Sequence, residues 1–153
     1  MPAAAYHPSS VGALLSGLVD DLLDAGTPIR LPVGGVSMAP RLRDGDHAIV
    51  VPVNGGDVRF GDLVLYRNAD GALVLHRVVR RWRGREWLQT RGDDCIRLDT
   101  RIDASRVLGR VQRIERPGRV AVELESPVER LRAVVVAGAK LLRSAIHYKL
   151  GFL

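Results

Sequence analysis

A serine, a histidine and a cluster of carboxylates are the residues whose types and settings suit chemistry. Ser37 lies in Gly34-Gly35-Val36-Ser37-Met38-Ala39-Pro40. Glycine permits tight backbone and proline fixes the exit direction. The serine is therefore expected on a rigid turn with neighbouring backbone N–H groups exposed, a setting for a nucleophile beside an oxyanion hole. Gly, Ser and Pro also make ordinary turns, so this segment alone is a weak signal. His76 and Arg77 interrupt the apolar run Leu73-Val74-Leu75-His76-Arg77-Val78-Val79. A lone strand histidine is more often a satisfied core residue. Imidazole, however, is the side chain whose ordinary pKa allows proton traffic near neutrality. His76 can take a proton from Ser37 and return it to a leaving amine. The third segment, Gln89 to Asp99, holds Asp93, Asp94 and Asp99. A calcium loop needs more regularly spaced oxygen ligands, so neither a metal nor a cofactor is expected. Asp93 or Asp99 fills the remaining triad role, orienting the histidine.

The basic residues sharpen this choice. Of 23 lysines and arginines in 153 residues, the only lysines are Lys140 and Lys149, near the C-terminus. Arginine keeps its proton at working pH and cannot act as a general base. The formal charge of +6 also suits attraction to nucleic acid or anionic lipid, although a solvated arginine-rich surface is the more ordinary explanation. The single cysteine, Cys95, excludes an intramolecular disulfide framework. Flanking acids Asp93, Asp94 and Asp99 should hold it as a thiol, which assigns it a structural role.

The elements that must position these residues follow from periodicity. Val11 to Asp24 carries leucines and valines at helical spacing, with Ser9 or Ser10 as N-cap and Gly26 as stop. From Pro28 to Glu125, short Val/Ile/Leu-rich runs alternate with turn residues. Strands are expected near 29–33, 48–53, 63–66, 73–80, 86–90, 107–114 and 120–124. Asn54-Gly55-Gly56, Asn68-Ala69-Asp70-Gly71 and Arg83-Gly84 read as turns. Trp82, Trp87 and Tyr66 are assigned to packing. Strands without helical crossovers predict a mainly β fold, an antiparallel sandwich or partly closed barrel. From Pro127 a basic amphipathic helix runs to the end, interrupted at Gly138, with Gly151-Phe152-Leu153 closing the chain.

Five ordered pieces now stand out: Ser37-Met38-Ala39-Pro40, Gly45-Asp46, Phe60-Gly61-Asp62-Leu63-Val64, His76-Arg77-Val78 and Thr90-Arg91-Gly92-Asp93-Asp94. Their order and spacing, over residues 31–113, resemble the signal peptidase I and LexA-like serine peptidase superfamily. One branch uses a serine–lysine dyad. The endoplasmic-reticulum, archaeal and some Gram-positive signal peptidases carry histidine in place of lysine, and this chain is similar to them. The resemblance implies Ser37 as nucleophile, His76 as general base and Asp99 as orienting acid, with Asp93 a supporting loop residue or alternative third member. It also implies an extended substrate with small side chains near the cut. The chain departs from the pattern at Gly35, where signal peptidases carry a serine whose hydroxyl helps the oxyanion hole. It departs again at Asp94, which replaces asparagine, and in having no evident membrane span before the serine.

The expected organisation is an N-terminal amphipathic helix (1–27), a signal-peptidase-like catalytic β domain (28–126) and a C-terminal basic amphipathic helix (127–153). The expected partner is a peptide or protein substrate, with peripheral membrane contact through the terminal helices and no nucleic acid. No run reaches roughly 18 apolar residues, and MPAAAYHPSS lacks a signal-peptide pattern, so a cytoplasmic location is expected. Two other readings stand beside the peptidase. One is a self-cleaving LexA-like regulator cut at Ala25-Gly26. The other is a non-enzymatic binding module for nucleic acid or anionic lipid.

Overall fold

The computed structural model of the chain describes residues 10–82, 84 and 86–151. Ser9, Arg83, Phe152 and Leu153, invoked above for a cap, a turn and the chain end, lie outside them. Helix α1 (Ser10–Asp24) leads into β1 (Ile29–Pro32), β2 (His47–Pro52), β3 (Leu63–Arg67), β4 (Leu73–Arg81), β5 (Trp87–Arg91), β6 (Ile102–Asp103), β7 (Val107–Glu115), β8 (Val122–Glu123) and helix α2 (Pro127–Leu150). The strands form one sheet in the order β1-β2-β7-β3-β4-β5-β6, with β8 on β7. Every pairing is antiparallel. The architecture is mainly antiparallel β, a curled half-barrel with two helices.

Curling lets both faces of the central strand be buried. On β3, Leu63 and Leu65 join a cluster with Met38, Leu42, Val50 and Val111. The alternate residues Val64 and Tyr66 join Val78, Leu88, Ile102 and Val107. This is the period-two alternation of a strand, with apolar residues in both phases because neither face meets water. Helix α1 closes the first cluster with buried Leu23 and half-buried Val19 and Leu22. It ends where the sequence indicates. Gly26 takes φ 80°, which lets Thr27 N–H reach back to Leu22 O at 2.9 Å.

Several expectations need correction. Helix α2 runs through Gly138 without interruption. A helical glycine costs about 1 kcal/mol against alanine but causes no clash, and buried Ala137 and Ser144 anchor the helix on both sides of it. The start of α2 is well capped, with Ser126 accepting from Glu129 N–H and Pro127 in the first turn. The strand expected over 120–124 shrinks to Val122–Glu123, since Val120 is 92% exposed and has no face to bury. Asn54-Gly55-Gly56 opens into a 3-10 turn over Gly55–Asp57. A two-residue strand, β6, was not anticipated; such a short pairing carries no periodicity to read. No helix among the described residues is long and apolar enough to cross a membrane.

The two Gly-Asp pieces share one construction. Gly45 and Gly61 take φ 87° and 91°, where other residues are strained. The following aspartate folds back on the turn: Asp46 Oδ2 accepts from Arg43 N–H at 2.9 Å, and Asp62 Oδ2 from Arg59 N–H at 2.8 Å. Each turn thereby delivers the chain into a buried strand.

Candidate active site

Sheet register decides which side chains can meet. His76 lies opposite Val64, Val74 opposite Tyr66, and Val78 opposite Thr90. Directly paired residues share a face, so His76, Tyr66 and Thr90 all project to one side. Arg77, paired with Leu63 and Arg91, projects to the other.

On the first side, Asp99 completes a compact network. His76 Nδ1 is 2.6 Å from Asp99 Oδ2. Thr90 Oγ1 lies 2.7 Å and Tyr66 OH 3.3 Å from that same oxygen, and Thr90 Oγ1 is 2.9 Å from Tyr66 OH. Thr90, Tyr66 and His76 are all buried. The backbone holds the acid in place as well, through Asp99 N–H to Thr90 O at 2.9 Å and Gln89 Nε2 to Asp99 O at 2.7 Å. Burial, followed by the Asp99 charge, pushes the Tyr66 phenol well above its ordinary pKa. Tyr66 therefore remains a hydrogen-bond donor at any working pH.

Ser37 reaches this site through the backbone. Its carbonyl accepts from Asp94 N–H at 2.8 Å, which fastens the serine turn to the acidic loop. Between them lies Gly92. A Cβ on Gly92 would stand 2.7 Å from Ser37 O and 3.1 Å from His76 Nε2. The serine segment and the imidazole thus converge on the same glycine. No direct hydrogen bond joins the Ser37 hydroxyl to His76, whose side-chain partner is Asp99. The Ser37 N–H has no acceptor among the described residues. Met38 is buried, and its sulfur lies 3.4 Å from Asp93 N, a second tie between the two segments.

Asp93 is placed differently from Asp99. Its carboxylate oxygens are both taken by Arg77, at 2.7 Å each, and Arg77 also donates to Gly61 O at 3.0 Å. This buried two-pronged pair lies on the face of β4 away from His76. Helix α2 grips the same loop. Lys140 donates from Nζ to Asp93 O, Arg91 donates to both Cys95 O and Lys140 O, and Ser144 Oγ donates to Ile96 O at 2.7 Å. Lys140 is thus a strut beneath the loop, bound to a main-chain carbonyl. A cavity of about 440 Å³ between α2 and the sheet is lined by Asp62, Arg77, Asp93, Arg110 and Arg130 among others. Ser37, His76 and Asp99 lie outside it, so it belongs to the supporting face.

Cys95 remains a thiol. Burial is the largest cause of its raised pKa, with Asp99 and Asp94 adding to it. Asp93, expected to contribute, is neutralised by Arg77 instead. Among the described residues no group of three or more His, Cys, Asp or Glu side chains could hold a metal ion. Trp82 and Trp87 stack with ring centroids 3.7 Å apart, and Arg101 lies 4.1 Å over Trp87, a packing role away from the histidine. Tyr66 packs in the core as expected, yet its hydroxyl also serves Asp99, as Thr90 does. The only sequence signal for either was a polar atom on a strand face that is otherwise apolar.

Comparison of the chain with protein-family models, with curated proteins and with solved structures returns no match.

Proposed function

We propose that this chain is a serine endopeptidase of signal-peptidase type, with a LexA-like catalytic fold, that cleaves an extended peptide or preprotein segment. The observation that carries the reading is the 2.6 Å contact between His76 Nδ1 and Asp99 Oδ2, with Ser37 bound to the loop that flanks the other ring nitrogen. An aspartate accepting the Nδ1 proton fixes the tautomer that leaves Nε2 free to act as base. Ser37 Oγ attacks the substrate carbonyl carbon while His76 Nε2 takes the hydroxyl proton. The tetrahedral oxyanion is met by the Ser37 N–H. Collapse breaks the C–N bond, and His76 returns its proton to the leaving amine. Water, activated by the same imidazole, then hydrolyses the acyl-serine. Asp93 supports the loop through Arg77 and does not exchange protons.

Cleavage in trans is favoured over self-cleavage by the setting of Ala25-Gly26. That dipeptide is folded into the cap of α1, with Ala25 N–H on Asp21 O and Gly26 N–H on Leu23 O, both at 3.0 Å. A peptide bond must be extended to enter such a site by strand addition. The deciding test is Ser37→Ala assayed on preprotein-like peptides. Cleavage should fall about 10⁴-fold or more with the circular dichroism spectrum unchanged. Cleavage that persists in the variant overturns the assignment.

A further inference from the structure

Helix α2 presents two opposed faces, and the described residues account for only one. Ala137 and Ser144, seven residues apart, are fully buried. Val128, Leu131, Val135, Leu142 and Ile146 recur at spacings of three, four or seven, which places them in one stripe along the helix. They are 73%, 67%, 62%, 63% and 48% exposed. At 100° per residue this stripe points directly away from the buried face. With 24 residues in α2, it extends along a helix about 36 Å long. An exposed apolar surface this continuous marks an interaction site.

Charge selects the occupant. Arg132, Arg143 and Lys149 border the stripe and are exposed. The one carboxylate of α2, Glu129, is half-buried and already engaged by Arg41 and Arg132. The stripe is therefore apolar with a net cationic margin, to which Arg143 and Lys149 contribute alongside the Glu129-paired Arg132. A second copy of this chain laid against it would bring like charges together along the seam. A bilayer with anionic headgroups would not: the side chains enter the acyl boundary and the cations meet phosphates, as for helices lying in the membrane interface. We propose that the outer face of α2 is a docking surface for an anionic lipid bilayer, on which the helix lies flat. Through Lys140, Arg91 and Ser144, the inner face holds residues 92–96, so docking fixes the candidate active site at a set height above the lipid.

The test is co-sedimentation of the full chain with phosphatidylglycerol and with phosphatidylcholine vesicles, a readout independent of cleavage. Binding should be much stronger to phosphatidylglycerol. It should weaken at least tenfold between about 0.1 and 1 M salt, as the screening length drops from ~10 Å to ~3 Å. The double variant Leu131→Gln/Leu142→Gln, at exposed positions that spare the fold, should lose about tenfold or more in vesicle affinity at an unchanged melting temperature. Absence of binding to phosphatidylglycerol overturns the proposal, as does equal binding by the double variant. A concentration-dependent dimer in sedimentation equilibrium that the double variant dissociates, without vesicle binding, would assign the stripe to a second copy of the chain.

Discussion

A single carboxylate oxygen organises the candidate site. Asp99 Oδ2 faces His76, Thr90 and Tyr66 together, and each can donate to it. Replacing Asp99 by Asn substitutes an amide for the acceptor and favours the tautomer that places the ring proton on Nε2. The value of kcat/KM should fall about 10³- to 10⁴-fold, with the fold retained by circular dichroism. A loss below tenfold would remove Asp99 from the proton path. Cys95 gives the complementary prediction. Because burial and nearby carboxylates raise its pKa, little thiolate exists at neutral pH. Alkylation by iodoacetamide at pH 7 should be slower than that of a free cysteine, and Cys95→Ser should keep cleavage within about threefold, since the reading gives the thiol no chemical task. At this scale the sequence shows which residue types are available but not their partners. Asp93 and Asp99 are equivalent when only spacing is known. Arg77 separates them, and its reach to Asp93 depends on which face of β4 it occupies.

The elements meet the candidate site through one loop pressed between the serine turn and α2. Two variants in adjacent residues should behave differently. Gly92→Ala introduces a Cβ 2.7 Å from Ser37 O and from Cys95 Sγ, and 3.1 Å from His76 Nε2. Something must shift, and two of the three neighbours, Ser37 and His76, are residues the proposed mechanism uses. A displacement near 1 Å costs about 10²-fold in rate, so kcat should fall by that order while the urea midpoint moves little. Asp93→Ala instead strands the Arg77 guanidinium, buried at 4% exposure. Breaking such a pair costs about 3–5 kcal/mol, which equilibrium urea unfolding measures. Similar behaviour of the two variants would contradict the division between the reacting face and the supporting face. The elements themselves were largely legible. Leu73 to Arg81 is an apolar run of strand length, and the leucines and valines of α1 keep helical spacing. The short pairing β8 was legible only with bounds drawn too long, and β6 was not, because two residues offer too little pattern. Nor was the continuity of α2 past Gly138, which tertiary anchoring at Ala137 and Ser144 decides.

Across the whole molecule, arginine side chains brace segments far apart in sequence. Arg116, beyond β7, binds both oxygens of Asp46 in the turn that follows Ser37, at 2.8 and 2.6 Å. Arg110 of β7 and Arg130 of α2 approach Asp62. Composition alone ties the arginine bias to the choice of base, to partners or to solvent and not to bracing, because the acids these side chains meet are set by the curl of the sheet. The Arg116 brace has a pH signature. Hydrogen bonding to Arg116 is the main cause holding the Asp46 carboxyl below its ordinary pKa, against the opposing effect of burial. A carboxylate so depressed stabilises the folded chain fully above the unfolded value of about 3.9, and that contribution disappears as pH falls through the lower folded value. Arg116→Ala should therefore cost about 1–3 kcal/mol at pH 7, since Asp46 is 2% exposed and keeps only the Arg43 N–H. The same comparison near pH 3 should show a smaller gap, as protonation of Asp46 begins to remove from the wild-type chain the attraction that the variant already lacks. Urea unfolding of the two proteins at pH 7, 5 and 3 measures this difference directly. A gap of constant size would show that Arg116 acts through packing alone. A narrowing gap would show that the turn behind Ser37 is held electrostatically from the far end of β7.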